Sequence, residues 1–266
     1  MNGRTVRWNW RCFPTTSICA AISPVSRCVN LILFEPNEIG APIARNDRRA
    51  IHLVDVLHRK PGDTFDAGVI NGARGKGTLV TITDRGLTID FCLSEPPLPA
   101  PPITLLIGLP RPQTARDVLR DATSLGVEAI HFVLTDKGDS NYARSSLWST
   151  TEWRRHLIQG AEQAFCTQLP VVSFGRMLKE TLLDASTTGT RLALDNYEAP
   201  SALNQTTALL PPVIVAIGSE RGWSAAERVQ LREHGFGFVH LGNRVLRTET
   251  ACVAAIVLVR AKLGLS

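Results

Sequence analysis

Two stretches of the chain combine residue types that could hold a ligand at the end of a strand. The first is Ile217-Gly218-Ser219-Glu220-Arg221-Gly222-Trp223-Ser224, where an apolar run breaks at glycine and re-enters helix at a serine cap. Glycine lets backbone approach a bound molecule closely, and the amides at a new helix start can meet its polar edge. The second is Leu241-Gly242-Asn243-Arg244-Val245-Leu246-Arg247-Thr248-Glu249-Thr250-Ala251, which also leaves an apolar run through glycine and enters a helix. Each alone is an ordinary strand-to-helix connection. Other chemistries fail on spacing. No GxGxxG follows a strand, and the segment 72–78 lacks the Gly-Lys-Ser/Thr order of a phosphate loop. Ser219 sits in no GxSxG elbow. The six histidines lack metal-ligand spacing, and Cys92, Cys166 and Cys252 are single, so neither a metal site nor a disulfide framework is expected.

The elements that must position these stretches follow from periodicity. Over 103–109, 127–134, 191–194, 213–217 and 236–241 the chain carries short apolar strand candidates, with helices between several of them. A helix over 114–125 places Val118, Leu119, Ala122 and Leu125 on one face before Gly126 stops it. Ser149-Thr150-Thr151-Glu152 and Ser224-Ala225-Ala226-Glu227 read as capping boxes. This half is α/β with a mainly parallel sheet. Its last helix, over 248–263, is apolar on all sides, too short and too closely flanked by Arg247, Arg260 and Lys262 to span a membrane. Burial against its own domain and a partner subunit accounts for it.

A proline-dense stretch, 94–102, reads as a linker between domains. Before it, segments 65–70, 78–83 and 87–93 read as strands of a small antiparallel β barrel, with turn residues and two cations over 71–77. A helix over 47–60, stopped by Pro61-Gly62, precedes them. Arg45, Arg48, Arg49, His52 and Arg59 form a basic stripe on it, next to Lys60 and to Arg74 and Lys76 of the cationic turn. A stripe beside a cationic turn is a candidate phosphate-binding face; a solvated helix surface is the commoner origin of such a run.

Net charge does not decide the partner. The chain holds 29 Lys and Arg against 24 Asp and Glu, but Arg4, Arg7, Arg11 and Arg27 lie in the first 28 residues, which contain no acid. The rest is nearly neutral, so any nucleic-acid contact depends on where charges cluster. With 44% hydrophobic and 20% charged residues, the composition is that of a soluble globular protein. Residues 1–28 read either as an extension outside the functional gene product, since a strand-like sequence opens abruptly at 29–34, or as a tail. The domains are then 29–93 and 103–266, joined by 94–102.

Taken together and in order, the two glycine stretches resemble the bacterial ribosomal RNA small-subunit uridine-N3 methyltransferases of the SPOUT superfamily. The segment 241–251, LGNRVLRTETA, is the most specific. Further similarity lies in Ala161-Glu162-Gln163 with Leu169-Pro170, in Leu125-Gly126-Val127, and in the 52–63 segment ending Leu-x-x-Lys-Pro-Gly-Asp. The resemblance implies a PUA-like β barrel, expected to bind RNA, followed by a trefoil-knotted, parallel-sheet α/β domain, an exception to the rule that chains do not thread loops. It also implies a cytoplasmic homodimer acting on ribosomal RNA or the small ribosomal subunit. The cofactor implied is S-adenosyl-L-methionine, held largely by backbone groups at Leu194 and Asp195, at Ile217, Gly218, Ser219, Glu220 and Gly222, and at Leu241, Gly242, Val245 and Leu246.

Transferring a methyl group to N3 of uracil needs loss of its proton and stabilisation of the charge left on O2 and O4. Arg247 is the candidate cation and Glu220 the candidate proton acceptor; the other reading is that they pair with each other or with Glu249 as a structural brace. No metal or membrane contact is implied. Ser219 and Arg221 stand where the family commonly has proline and glycine, and Cys166 where it commonly has arginine. With Gly108-Leu109-Pro110-Arg111-Pro112-Gln113, these departures suggest a divergent branch. A non-catalytic RNA-binding or ribosome-assembly factor on the same scaffold, or an enzyme of this fold acting on another RNA, are the competing readings.

Overall fold

A computed structural model describes residues 31–184 and 188–265; the extension over 1–28 lies outside them. The chain builds two sheets. The first contains β1 (Ile32–Phe34), β2 (Ile43–Ala44), β3 (Thr64–Val69), β4 (Arg74–Ile82) and β5 (Gly86–Glu95), in the order β1-β3-β4-β5-β2. It curls around a core of Phe34, Leu53, Phe65, Leu79, Leu87 and Ile89. The alternation of Leu87 and Ile89 with Thr88 and Asp90 sends one side chain inward and the next to solvent.

Four details depart from the sequence reading. The β1–β3 pair is parallel, so the sheet is not wholly antiparallel. The 71–77 turn is shorter than expected, because β4 already starts at Arg74. Pairing of Arg74 with Glu95 carries β5 two residues into the proline-dense stretch, leaving the connector as 96–102. The helix expected over 47–60 is only α1 (Arg48–Ile51), continued by a wider turn over His52–Val56. It ends early because His58 takes a left-handed backbone, φ 52°, well before Pro61.

The second sheet is wholly parallel. It comprises β6 (Ile103–Gly108), β7 (Ala129–Leu134), β8 (Val171–Met177), β9 (Thr190–Leu194), β10 (Ser201–Ala202), β11 (Val213–Ile217) and β12 (Gly237–His240), ordered β10-β12-β9-β11-β6-β7-β8. Its central strands are buried on both faces, as a parallel sheet requires. Val213, Val215 and Ile217 enter one core with helices α2 (Pro112–Leu125), α4 (Glu152–Gln163) and α7 (Thr248–Lys262), beside the one-turn α3 (Ser146–Ser149). Ile214 and Ala216 enter the opposite core with α5 (Leu178–Asp184) and α6 (Ala225–Glu233). The Ser224 capping box forms as read, with the Ser224 hydroxyl accepting the Glu227 N–H at 3.1 Å. The Ser149 box does not: α4 starts at Glu152 after Thr151, and the Thr150 hydroxyl accepts the Glu152 N–H.

The two sheets meet along β1 and α4. Leu31, Leu33, Ile70 and Ala161 form a joint apolar cluster. Around it, the Asn71 N–H donates to the Thr167 carbonyl, the Thr167 hydroxyl to the Gly72 carbonyl, and the Leu169 N–H to Asn71 Oδ1. Glu162 accepts the Leu33 N–H within this junction, and burial holds its carboxyl above the usual range.

Candidate functional site

The carboxyl ends of the adjacent strands β12, β9 and β11 open onto one cavity of about 700 Å³, joined by the start of α2 after β6. Ligands of open parallel sheets sit outside the carboxyl ends of strands, where connections diverge. The three loops expected from the sequence converge here. Leu194, Asp195, Ile217, Gly218, Ser219, Glu220, Gly222, Leu241, Val245 and Leu246 all line the cavity, as does Arg247. Gly242 does not line it; with φ 109° it turns the chain between Leu241 and Arg244, its N–H donating to His240 Nδ1.

Close backbone approach explains Gly108 and Gly218, and a left-handed backbone explains Gly222 and Gly242. A Cβ on Gly108 would lie 2.5 Å from the Ser219 nitrogen, so the end of β6 presses directly on the 217–222 loop. That loop closes as a turn in which the Gly222 N–H donates to the Ser219 carbonyl at 2.8 Å. The left-handed residue is Gly222, φ 64°, while Arg221 stays out of that region. Arginine at 221 is therefore compatible with the turn. Ser219 is buried, with a hydroxyl that finds no partner among the described residues.

The loops are tied to one another from behind. Trp223 is fully buried and its indole N–H donates to the Leu194 carbonyl at 3.2 Å. Lys137 donates to the Trp223 carbonyl, and the buried Glu227 accepts the Asp136 and Ser224 N–H groups. Asp195 is almost fully buried, and its carboxylate accepts the N–H groups of Tyr197 and Glu198 at 2.7 Å and Arg228 Nε at 2.8 Å. Its side chain thus shapes the loop, and its backbone is what the cavity meets.

The two candidate catalytic residues behave differently. Glu220 accepts the N–H of Arg111 at 2.9 Å, with Arg111 Nε 3.7 Å away, so it anchors its loop to the start of α2. Arg247 is exposed and its side chain makes no hydrogen bond or ion pair among the described residues. The brace between Arg247 and Glu220 or Glu249 is therefore not formed.

The basic stripe lies apart, on the curled sheet and α1, and most of it is matched by acids. Arg45 pairs with Asp55 at 2.5 Å, Arg48 with Glu162 at 3.3 Å, Arg74 with Glu95 at 2.9 Å and Lys76 with Asp66 at 2.6 Å. Arg49 is gripped by Glu38 and Asp47, whose carboxyls its hydrogen bonds hold below their usual range. His52 lines a smaller cleft at the junction of the sheets, Arg59 is half-buried and Lys60 is exposed. Arg111, Tyr197 and His240 also line the cavity and are not among the residues expected from the sequence, while Arg221 and Arg244 fall inside the two expected stretches without being singled out as contacts. Only their loop positions could have signalled them, because nothing in their spacing does.

Residues 96–260 match the model of a family described as an RNA methyltransferase domain. Along nearly the whole length, the chain is 35% identical over 242 residues to the ribosomal RNA small subunit methyltransferase E of Treponema pallidum, covering 88% of this chain and 91% of that one. It is 28% identical to the ribosomal RNA small subunit methyltransferase E 1 of Borreliella burgdorferi, covering 88% and 99%. The chain belongs to the ribosomal RNA small subunit methyltransferase E family of RNA methyltransferases. Its fold is also that of a Legionella pneumophila methyltransferase solved with its cofactor SAM, with a TM-score of 0.73 at 21% identity over 88% of this chain and 97% of that one. The Neisseria gonorrhoeae ribosomal RNA small subunit methyltransferase E, solved bound to S-adenosyl methionine, aligns with a TM-score of 0.69 at 23% identity, covering 88% and 97%. Among the described residues no helix is long and apolar enough to cross a membrane, and no group of metal-binding side chains occurs.

Proposed function

We propose that this protein methylates N3 of a uridine in small-subunit ribosomal RNA, using S-adenosyl-L-methionine bound in the cavity above β9, β11 and β12. The observation that carries this reading is the convergence of three loops on one cavity, two of them turned by glycine and the third fixed by Asp195, with Arg247 at its edge unpaired among the described residues. The volume falls within the roughly 300–1,000 Å³ of small-molecule sites. Buried Leu194 and Ile217 offer apolar surface, and the backbone of the 217–222 and 241–246 turns offers amides and carbonyls beside the charged side chains of the rim. These features fit a nucleoside-bearing cofactor, which supplies an electrophilic methyl group when bound.

The chain's own residues then place the acceptor. Rigid loops hold the cavity open to a single base and exclude water behind it. As the N3 proton leaves, negative charge spreads onto O2 and O4, and the Arg247 guanidinium stabilises it. Glu220, at the rim, takes the proton directly or through water. The curled sheet, whose last strand reaches Glu95, is a PUA-like RNA-binding unit, and the α/β unit that begins at Ile103 is trefoil-knotted. Exposed cations of the former, Arg48, Lys60 and Lys76, supply phosphate contacts beyond the cavity, Arg48 and Lys76 by exchanging the Glu162 and Asp66 carboxylates for phosphate, and Arg45, Arg49, His52, Arg59 and Arg74 complete the proposed RNA-binding set. The enzyme acts as a cytoplasmic homodimer.

The decisive experiment incubates the purified protein with labelled S-adenosylmethionine and small-subunit RNA from a strain deleted for the corresponding gene, then digests the RNA to nucleosides for mass spectrometry. Label in 3-methyluridine is expected. Label in any other nucleoside overturns the N3 assignment, and cofactor binding without transfer to any RNA overturns the catalytic one.

A further inference from the structure

Tyr197 stands at the rim of the cavity, 82% exposed. A lone exposed aromatic is ordinary on a protein surface, but this one is held in place. Asp195 fixes the turn beneath it by accepting the Tyr197 and Glu198 N–H groups. The Arg228 guanidinium lies 5.4 Å from the ring centroid and is itself locked by Asp195 at 2.8 Å and Glu198 at 3.6 Å. One side of the ring is thus backed by a fixed cation, and the remainder faces solvent at the cavity mouth.

The same mouth carries Arg221 and Arg244, both exposed and, among the described residues, both without a side-chain hydrogen bond or ion pair. They contrast with the curled sheet, where Arg45, Arg49, Arg74 and Lys76 are each already matched by a carboxylate. Unmatched cations next to a fixed aromatic are the combination that holds single-stranded nucleic acid, because every base has a stackable face and every linkage a phosphate. Chemistry selects the same form of substrate. N3 of uridine is the atom committed to a Watson–Crick pair, so a methyl group reaches it only when the base is unpaired and turned out of a helix.

We propose that the cavity mouth is a single-strand RNA clamp in which Tyr197 stacks on an unpaired base and Arg221 and Arg244 hold the phosphates flanking it. The assignment of the base to uridine rests on the methylation reading above; the clamp itself does not require transfer to occur. Arg221 gives this chain a phosphate contact that a glycine at that position would lack.

The test measures binding of a fluorescein-labelled oligouridylate to the full-length protein, as a single strand and annealed to oligoadenylate, with cofactor binding followed by calorimetry. Tyr197→Ala is expected to weaken single-strand binding about five- to a hundredfold, the range of a lost base-on-aromatic stack, while Tyr197→Phe stays near wild type. The Arg221→Ala, Arg244→Ala double variant is expected to flatten the dependence of log affinity on log salt by about 0.7 for each phosphate no longer neutralised. The clamp is overturned if Tyr197→Ala binds oligouridylate like the wild type, if the salt slope is unchanged in the double variant, or if the duplex binds as tightly as the single strand. A wild-type protein that grips oligouridylate through these residues but binds no S-adenosylmethionine would instead sink the methyltransferase reading and leave the clamp standing.

Discussion

Arg247 is legible in the sequence by position alone, between a glycine turn and an apolar helix. What the spacing leaves open is whether it is a brace or a free cation. The structure decides for the free cation, because Glu220 is held by the Arg111 N–H and, among the described residues, no carboxylate reaches Arg247. Arg247→Ala should therefore leave folding and cofactor affinity nearly unchanged and slow single-turnover methylation about a hundred- to a thousandfold, the effect of losing one preorganised donor. Arg247→Lys, which retains the charge without the planar fork, should recover part of that rate. Thermal unfolding measured beside the kinetics checks the claim: a near-normal rate in Arg247→Ala would remove Arg247 from the chemistry. Asp195 shows the opposite case. The resemblance places its backbone at the cofactor, and its carboxylate is engaged by Tyr197, Glu198 and Arg228. A buried carboxylate is satisfied by whichever donors the fold brings, and spacing does not name them.

At the scale of elements, strands with unbroken apolar runs are readable almost to the residue, since both faces of a parallel sheet select apolar side chains. The 213–217 strand is the clearest instance. Edge strand β8 is not readable in this way: Val171 and Met177 are exposed, Gly175 bulges with φ 82°, and Arg176 interrupts the pattern. The early end of α1 escapes the sequence because a histidine in the left-handed region stops it and carries no breaker signature. The loop that depends most on its neighbours is 217–222, which packs against Gly108 from another strand. Gly108→Ala should push this loop outward, costing about 1–3 kcal/mol as an overpacked core does, and should weaken S-adenosylmethionine binding more than a change at its neighbour in sequence, Leu109→Val. Denaturant unfolding and calorimetry on both variants test the contact; unaltered cofactor affinity in Gly108→Ala would show that the loop does not depend on it.

Across the whole molecule, the last helix is expected from its sequence to be covered on every side, and a single chain covers only part of it. Cys252, Ala255, Ile256 and Val259 are buried against α2 and the sheet, whereas Val257 is 47% exposed and Thr250 and Ala261 lie on the open side. A second copy of this chain is the proposed cover. Val257→Glu should then leave a folded monomer, because an unpaired charge at a closed interface costs several kcal/mol and weakens association on the order of a hundredfold or more. Sedimentation of both proteins reads this directly, and a wild-type monomer, or a variant dimer as tight as wild type, would refute it. Sequence by itself determined the α/β class, the two-sheet order, the position of the glycine turns and the family, because apolar periodicity and backbone-permissive residues are local properties of a chain. Tertiary structure alone decided which carboxylates are already occupied, that the curled sheet's cations are largely matched while Arg221, Arg244 and Arg247 are free among the described residues, and that Tyr197 stands at the cavity. Those are pairings between residues far apart in the chain, and only the folded path brings their charges within a few ångströms.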